Sequence, residues 1–251
     1  MIARIEADRA AARRLGVGEV VSETFSLYGR NAGPLLGSAI VVFVIVGPLS
    51  ALVENSGGVL VALLAAIIRL AGFALYAGFV VRLVQDARDG RRDLTLGDLL
   101  SSAAPAILPL IVFGILFAIG VAIGLALLII PGLILLTFWS VGAPAIVVER
   151  AGPIAAFGRS WRLVRGDAWS VFATLVVVLL IVIAIGIGLA IIATPISNGA
   201  TVVASIISNV ITAPIFSVAV SVMYFELGGA RAAAGTPVPP IEPPPPSAPA
   251  V

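Results

Sequence analysis

The chain has 251 residues, of which 60% are hydrophobic and 11% are charged, and its formal net charge is only +2. Its mean hydropathy is +1.17, whereas a soluble domain is about 45–50% apolar and about 25% charged. The chain has no Cys and no His, and all 15 of its basic residues are Arg, which excludes thiolate, imidazole and Lys Schiff-base chemistry. We therefore predict an all-α polytopic membrane protein that uses no cofactor or metal.

Residues 1–16 form a charged lead, and the segment after it is amphipathic. Val17, Val21, Phe25 and Tyr28 fall on one helical face, and polar residues fall on another. This period is typical of an interfacial helix that lies on the cytoplasmic surface of a membrane. Because the first long apolar run begins only after residue 33, we expect no cleaved signal peptide.

Apolar runs at about 34–53 and 58–81 are each long enough for a membrane span, which takes about 20 residues. Arg69 interrupts the second run near its middle. A central Arg costs about 2.5–3.5 kcal/mol on insertion, so we expect its side chain to face the bundle or a wet cavity. There it would contact an anion or a lipid phosphate, or serve structurally by binding carbonyls or by snorkelling.

The third apolar run, from 103 to 148, has no charged residue and is too long for one crossing. Pro131 and Gly132 interrupt it, and Pro followed by Gly commonly marks a turn or the end of a helix. We divide the run into two spans, at about 104–126 and 130–148, joined by a tight apolar turn.

A second amphipathic segment follows the fourth span. Its apolar residues recur at spacings of three and four: Ile154, Phe157, Trp161, Val164 and Ala168. Trp suits the headgroup layer, and Arg attracts anionic lipid headgroups. The alternative is a collar of surface ion pairs with nearby carboxylates. The candidates for binding lipid headgroups or an unidentified protein partner are Arg159, Trp161, Arg162, Arg165 and Trp169.

Two more spans are predicted at about 169–193 and 202–225. Polar residues recur along the last one at spacings of three and four: Asn198, Thr201, Ser205, Ser208 and Thr212, with Asn209 beside them. Such stripes usually hold helices together through hydrogen bonds. The alternative is a polar pocket within the membrane, and its candidate residues are Arg69, Ser205, Ser208, Asn209 and Thr212.

The distribution of Arg residues predicts the orientation of the membrane domain, residues 17–231. With six spans, fourteen of the 15 Arg residues fall on one side and Arg69 is the exception. Cytoplasmic loops of membrane proteins are enriched in Arg. We therefore expect the Arg-rich side, which includes both termini, to face the cytoplasm. With five spans, the cluster at 150–165 would move to the opposite side. The Pro-rich tail, residues 232–251, is predicted to be disordered, with a ligand for a proline-binding domain as the alternative.

The two amphipathic segments also resemble each other. Residues 24–27 match residues 160–163 at an offset of 136, and a weaker third copy begins at residue 96. These matches predict three units, each an interfacial helix that precedes a transmembrane hairpin, in parallel orientation. The alternative is a chance similarity between two membrane surfaces.

Several strings resemble a known family: Ile130-Pro131-Gly132, Ala143-Pro144, Gly152-Pro153, Ser160 to Gly166 (SWRLVRG), and Tyr224 to Leu227. The chain is similar over about 16–231 to the membrane domain found with some bacterial glycerophosphoryl diester phosphodiesterases, and to stand-alone six-span relatives. The resemblance implies a six-span fold in a bacterial cell membrane. It does not imply phosphodiesterase activity, which belongs to a separate soluble domain of those relatives.

Two functions follow as hypotheses. The first is a non-enzymatic membrane protein that associates with lipid, or scaffolds partners, through its interfacial Arg and Trp residues. The alternative is a small transporter or channel for an anionic or lipid-like solute that uses Arg69 and the polar stripe. We do not expect an enzyme, because no pair of titratable groups lies deep in the spans to divide acid and base roles. We expect no nucleic-acid partner.

Overall fold

A computed structural model of the chain describes residues 15–54, 58–88, 96–193 and 198–233. These residues form helices and short connections, with no β-strand in the ranges given. In chain order the helices are α1 (Val17–Arg30), α2 (Ala32–Glu54), α3 (Val59–Arg88), α4 (Leu96–Leu127), α5 (Ile129–Trp139), α6 (Gly142–Glu149), α7 (Pro153–Val164), α8 (Ala168–Ala193) and α9 (Asn198–Ala233). Most of the predicted lead and tail lies outside the described residues.

Five segments are long and apolar enough to cross a membrane. They are Leu60–Arg88, Pro105–Leu127, Ile129–Glu149, Ala168–Ile192 and Ile206–Gly228. The pair α1 and α2 is bent by 82° and makes a sixth if it is counted as one span. The predicted class, an all-helical protein with several membrane-length helices, is confirmed in this form.

The long third run is divided where the chain turns from α4 into α5. The turn lies at Leu128, whose backbone is extended (φ −159°, ψ 143°). Pro131 therefore falls in the first turn of α5, where its missing N–H leaves no helical hydrogen bond unmade. A Cβ atom built on Gly132 would lie 2.4 Å from Cγ of Leu125. Gly132 thus lets the two helices pack with almost no connecting loop.

The predicted fourth span contains a second break, at residues 140–141, between α5 and α6. Pro144 has no N–H to donate to the carbonyl of Ser140, so a regular helix loses a hydrogen bond at this point. The Ser140 hydroxyl donates to the carbonyl of Thr137 at the break, at 2.9 Å. The break packs closely against α4, because a Cβ on Gly142 would lie 2.4 Å from the ring of Phe113.

The offset of 136 seen in the sequence holds in the structure. Helices α2 and α8 begin at Ala32 and Ala168, which differ by this number. The hydroxyls of Ser38 and Thr174, also 136 apart, donate to the carbonyls four residues before them at 2.7 and 2.8 Å. The buried faces of α1 and α7 correspond as well: Val20, Thr24 and Leu27 against Ala156, Ser160 and Leu163. The two units therefore share one register, as an internal duplication would produce.

The predicted third copy does not form a separate helix. Residues 96–101 are the first turns of α4, which continues without interruption to Leu127. The other two units have a break between their helices, at Asn31 and at residues 165–167. No Pro or Gly lies between Asp98 and Ala104 to end the helix there, and so the chain runs on.

The main core joins α1, α2, α3, α8 and α9, with residues of α6 and α7 at its edge. Large buried side chains meet there, including Leu35, Tyr76, Phe79 and Met223. The Tyr76 hydroxyl donates to the carbonyl of Leu35 at 3.3 Å, so its polar end is satisfied inside the bundle. A second core joins α3, α4, α6 and α7, and it holds the helix that carries the candidate surface.

Candidate functional site

Helix α7 is fixed to the bundle by one face. The Ser160 hydroxyl donates to the carbonyl of Phe138 at 2.7 Å, and the Phe157 ring lies 4.6 Å from Trp139 and 4.5 Å from Phe113, between ring centroids. Leu163 is fully buried on the same side. A short helix with these contacts holds its opposite face in a defined position.

Four of the five predicted headgroup-binding residues are exposed on that opposite side, around the junction of α7 and α8. Trp161 is 42% exposed and stacks on Phe138 with ring centroids 4.1 Å apart. Trp169 is 79% exposed, and both Arg side chains are exposed. We call this surface the α7–α8 face, and it consists of Trp161, Arg162, Arg165 and Trp169.

Arg159 does not belong to this face. Its side chain is only 11% exposed, and its Nε donates to Oε1 of Glu149 at 2.7 Å. The Tyr224 hydroxyl donates to the same carboxylate oxygen. Arg150, in the left-handed region with φ 54°, ends α6 and turns the chain so that α7 returns toward Glu149. The prediction that Arg159 faces the headgroups is therefore corrected: it forms a partly buried ion pair.

A second ionic group joins three helices that are distant in sequence. Arg88 lies 2.6 Å from a carboxylate oxygen of Glu23 and 2.7 Å from one of Glu226. Its guanidinium also lies over the ring of Phe225, 5.4 Å from the centroid. This group ties α1, α3 and α9 together. Sequence reasoning missed it, because no local spacing relates residues 65 and 138 positions apart.

Arg82 on α3 and Arg150 at the end of α6 are two further Arg residues. Arg82 is half-buried, and one of its terminal nitrogens donates to Gln85 at 3.1 Å. Its Nε is buried and has no hydrogen-bond acceptor within the described ranges. Arg150 is exposed and close enough for its positive charge to act on Arg82.

The candidate intramembrane residues lie in different surroundings. Arg69 is exposed on α3, and Asn209 is exposed on α9, whereas Thr212 is buried. The Thr212 hydroxyl donates to the carbonyl of Ser208 at 2.7 Å. A Cβ on Gly186 would lie 3.5 Å from the Ser208 hydroxyl, which places Ser208 against α8. These two residues therefore serve helix packing, and the side chain of Ser205 lies outside the described residues.

No group of three or more carboxylates that could hold a metal ion occurs among the residues that the structure describes. The Glu149 carboxylate is engaged by Arg159. Exposed guanidinium groups can bind anions, and exposed Trp rings can pack against lipid.

Residues 35–233 match a family described as a domain of unknown function, DUF7847. The chain belongs to this family. The match covers most of the chain, from the start of α2 to the end of α9, and includes the α7–α8 face. No curated protein and no solved structure matches the chain. The family match neither supports nor contradicts the resemblance to the membrane domain of glycerophosphoryl diester phosphodiesterases.

Proposed function

We propose that the protein is a non-enzymatic integral membrane protein that binds anionic lipid headgroups through the α7–α8 face. The observation that carries this proposal is the exposure of two Arg and two Trp side chains around the junction of α7 and α8, where the other side of α7 is fixed to the bundle. Guanidinium groups near an anionic membrane surface gain about 1 kcal/mol each. Trp rings at the same depth meet both the headgroups and the acyl chains.

The apolar side chains around this face support the proposal. Ile154 is 78% exposed although it lies on the predicted apolar stripe, and Phe25 is exposed at the equivalent surface of α1. Contact between these apolar side chains and water would be unfavourable in free energy, in proportion to the exposed apolar area. At the boundary of headgroups and acyl chains the same area is covered by lipid.

The proposal also covers how the whole chain is arranged in the membrane. The chain crosses a bacterial inner membrane six times, as three hairpins, with both termini in the cytoplasm. Interfacial helices α1 and α7 lie on the cytoplasmic surface. This orientation is supported by the Arg residues, fourteen of which fall on one side in a six-span arrangement.

The experiment is native mass spectrometry of the protein released from nanodiscs that contain equal amounts of phosphatidylglycerol and phosphatidylcholine. We expect the parent to retain phosphatidylglycerol selectively. The double variant Arg162→Gln/Arg165→Gln should lower this selectivity about tenfold or more, since it removes two such interactions. Arg30→Gln is the matched control, because Arg30 is exposed and bonded to Ser26 of its own helix. Equal retention by the parent and the double variant would contradict the proposal and direct attention to a protein partner.

The alternative, a transporter or channel for an anionic or lipid-like solute, has weaker support. Ser208 and Thr212 are engaged in helix packing, which leaves Arg69 as its main residue. Arg69→Leu separates the two functions. Under the alternative, this variant abolishes uptake of an anionic solute into proteoliposomes. Under the lipid-binding proposal, it leaves phosphatidylglycerol retention as it is in the parent.

A further inference from the structure

The two Arg side chains of the α7–α8 face have no partner in the described part of the chain. Neither Arg162 nor Arg165 forms an ion pair or a side-chain hydrogen bond there, and Asp167 pairs with neither of them. Four other Arg side chains are bonded to side chains of the protein itself: Arg30, Arg82, Arg88 and Arg159. The two guanidinium groups of the face are therefore available to a ligand.

Arg162 and Arg165 are neighbours on one helix. The backbone N–H of Arg165 donates to the carbonyl of Trp161 at 3.0 Å, and Arg165 has helical backbone angles (φ −50°, ψ −30°). Helical geometry therefore continues through Arg165, and side chains three residues apart begin about 5–6 Å from each other at Cβ. Like charges at this spacing repel each other, and a bound anion would offset that repulsion.

The side chain of Arg162 lies along α7 toward the start of the helix. A Cβ on Gly158 would lie 3.6 Å from Nη1 of Arg162, so this guanidinium rests about one turn before its own Cα. Arg165 begins about 4.5 Å further along the helix axis than Arg162, at 1.5 Å per residue. Each guanidinium presents a planar fork of donors that matches the oxygens of one phosphate group. Two forks displaced along a helix suit two phosphate groups better than one.

A fixed aromatic ring lies beside this pair. Trp161 is four residues before Arg165, which places the two side chains on the same side of the helix. The Trp161 ring is 42% exposed and is held by its stacking on Phe138, with centroids 4.1 Å apart. The pair therefore has next to it an apolar ring of the kind that meets acyl chains below the headgroups.

The first of the two related units has no such Arg pair. At the offset of 136, Ser26 and Gly29 of α1 stand where α7 has Arg162 and Arg165. Arg30, which is close to them in α1, is bonded to the Ser26 hydroxyl at 2.8 Å. A helix in this place of the fold thus forms without two free Arg side chains. The pair in the second unit is therefore better explained by a ligand than by the fold.

We propose that Arg162 and Arg165 together bind one lipid that carries two phosphate groups on a short bridge, with one phosphate at each guanidinium. Cardiolipin has this chemistry, because a glycerol joins its two phosphatidyl groups. The inference deepens the proposed function and rests on it, since it requires the α7–α8 face to meet lipid headgroups. It adds a preference for a doubly charged headgroup over a singly charged one.

The test is competition between two anionic lipids, read by native mass spectrometry of the full chain released from nanodiscs. Phosphatidylcholine nanodiscs contain phosphatidylglycerol and cardiolipin at equal phosphate content, so a site for a single phosphate retains the two lipids equally. We expect the parent to retain cardiolipin about fivefold or more over phosphatidylglycerol, since the second phosphate adds one more Arg interaction. Arg162→Gln and Arg165→Gln, tested singly, should each bring this ratio to about one. All these substitutions exchange exposed side chains.

The control is Arg150→Gln, which removes an exposed Arg that precedes α7 and lies outside the α7–α8 face. It should leave the preference for cardiolipin unchanged. A preference that falls as far in Arg150→Gln as in Arg162→Gln would reflect total charge and overturn the proposal.

The remaining outcomes separate this inference from the proposed function. Equal retention of both anionic lipids by the parent, above that of phosphatidylcholine, overturns the paired site and leaves the proposed function standing. A preference for cardiolipin that survives both single substitutions also overturns the paired site. Retention of neither anionic lipid over phosphatidylcholine overturns both.

Discussion

The two ends of the segment Ile129–Glu149 are built from opposite chemistries. At its start, the turn from α4 into α5 has no polar side chain, and four consecutive residues are between 68% and 74% exposed: Leu127, Leu128, Ile129 and Ile130. Its backbone is nevertheless bonded, from Leu128 N–H to the Gly124 carbonyl at 3.0 Å and from Gly132 N–H to the Leu128 carbonyl at 3.5 Å. At its other end, Glu149 forms an ion pair with Arg159, and Arg150 follows it in the chain.

The difference shows which surroundings each end is built for. A turn that satisfies much of its backbone internally and exposes only apolar side chains is suited to hydrocarbon, where water cannot supply missing hydrogen bonds. An end that carries Arg side chains is suited to the headgroup layer, where anions are available. The apolar turn is held by steric fit between glycines and neighbouring side chains, and the end at Glu149 is held by the ion pair with Arg159. Three substitutions, from the largest expected effect to the smallest, test that contrast.

Glu149→Ala should have the largest effect, because it leaves the partly buried charge of Arg159 without its partner. Breaking a buried pair from one side costs about 3–5 kcal/mol of the free energy of unfolding. The measurement is reversible unfolding in mixed detergent micelles. Adding Arg159→Leu should recover a large part of the loss, since the unpaired charge is then removed. A double variant as unstable as Glu149→Ala would show that the charge pair is not the cause.

Gly132→Val tests the steric fit at the apolar turn. The added side chain would meet Leu125, including its backbone nitrogen at 2.7 Å from the Cβ position, so α4 and α5 must separate. Overpacking of this kind costs about 1–3 kcal/mol or more. Gly188→Val is the matched control, because a Cβ at Gly188 meets nothing within 4 Å. Equal stability of the two variants in the same unfolding assay would refute close packing at the turn.

Arg88→Gln should have the smallest effect. The ion pairs of Arg88 with Glu23 and Glu226 are partly exposed, and solvent and salt screen such pairs. We expect a loss of about 1 kcal/mol or less, which shrinks further as salt is added. A loss as large as that of Glu149→Ala, insensitive to salt, would show that this group is as strongly shielded from solvent as the Glu149–Arg159 pair.

The apolar pattern was sufficient to predict the helical class and the division of the long third run. The turn was predicted between spans at about 104–126 and 130–148, and it lies at Leu128. Pro131, which indicated the division, falls in the first turn of α5, a position that Pro tolerates. The break before α6 has a signal in the sequence at Pro144, because proline kinks or ends helices. Its lost hydrogen bond was the available signal.

The α7–α8 face was also predicted only in part from the sequence. Helical spacing identifies neighbours on one helix, and so the exposed Arg and Trp residues of α7 were found. It does not say which neighbour turns inward, and Arg159 does so because the left-handed residue Arg150 reverses the chain. Contacts between distant segments, such as that of Arg88 with Glu23 and Glu226, have no signature in local spacing at all.

The most direct measurement of the central claim is the membrane depth of the α7–α8 face. The chain contains no Cys, so a single introduced Cys can carry a nitroxide label at a unique position. Ala155→Cys reports on the exposed side of α7, Leu128→Cys on the apolar turn, and Leu180→Cys on the exposed middle of α8. Collisions with oxygen and with a water-soluble nickel chelate give the depth of each label in proteoliposomes.

We predict that the label at Ala155 lies at the level of the lipid phosphates, with collisions intermediate between water and hydrocarbon. The labels at Leu128 and Leu180 should both collide with oxygen and be protected from nickel. A label at Ala155 that meets nickel as freely as a label in buffer would contradict the account, because α7 would then lie in water away from the headgroups. A nickel-accessible label at Leu128 would contradict the placement of the apolar turn in hydrocarbon.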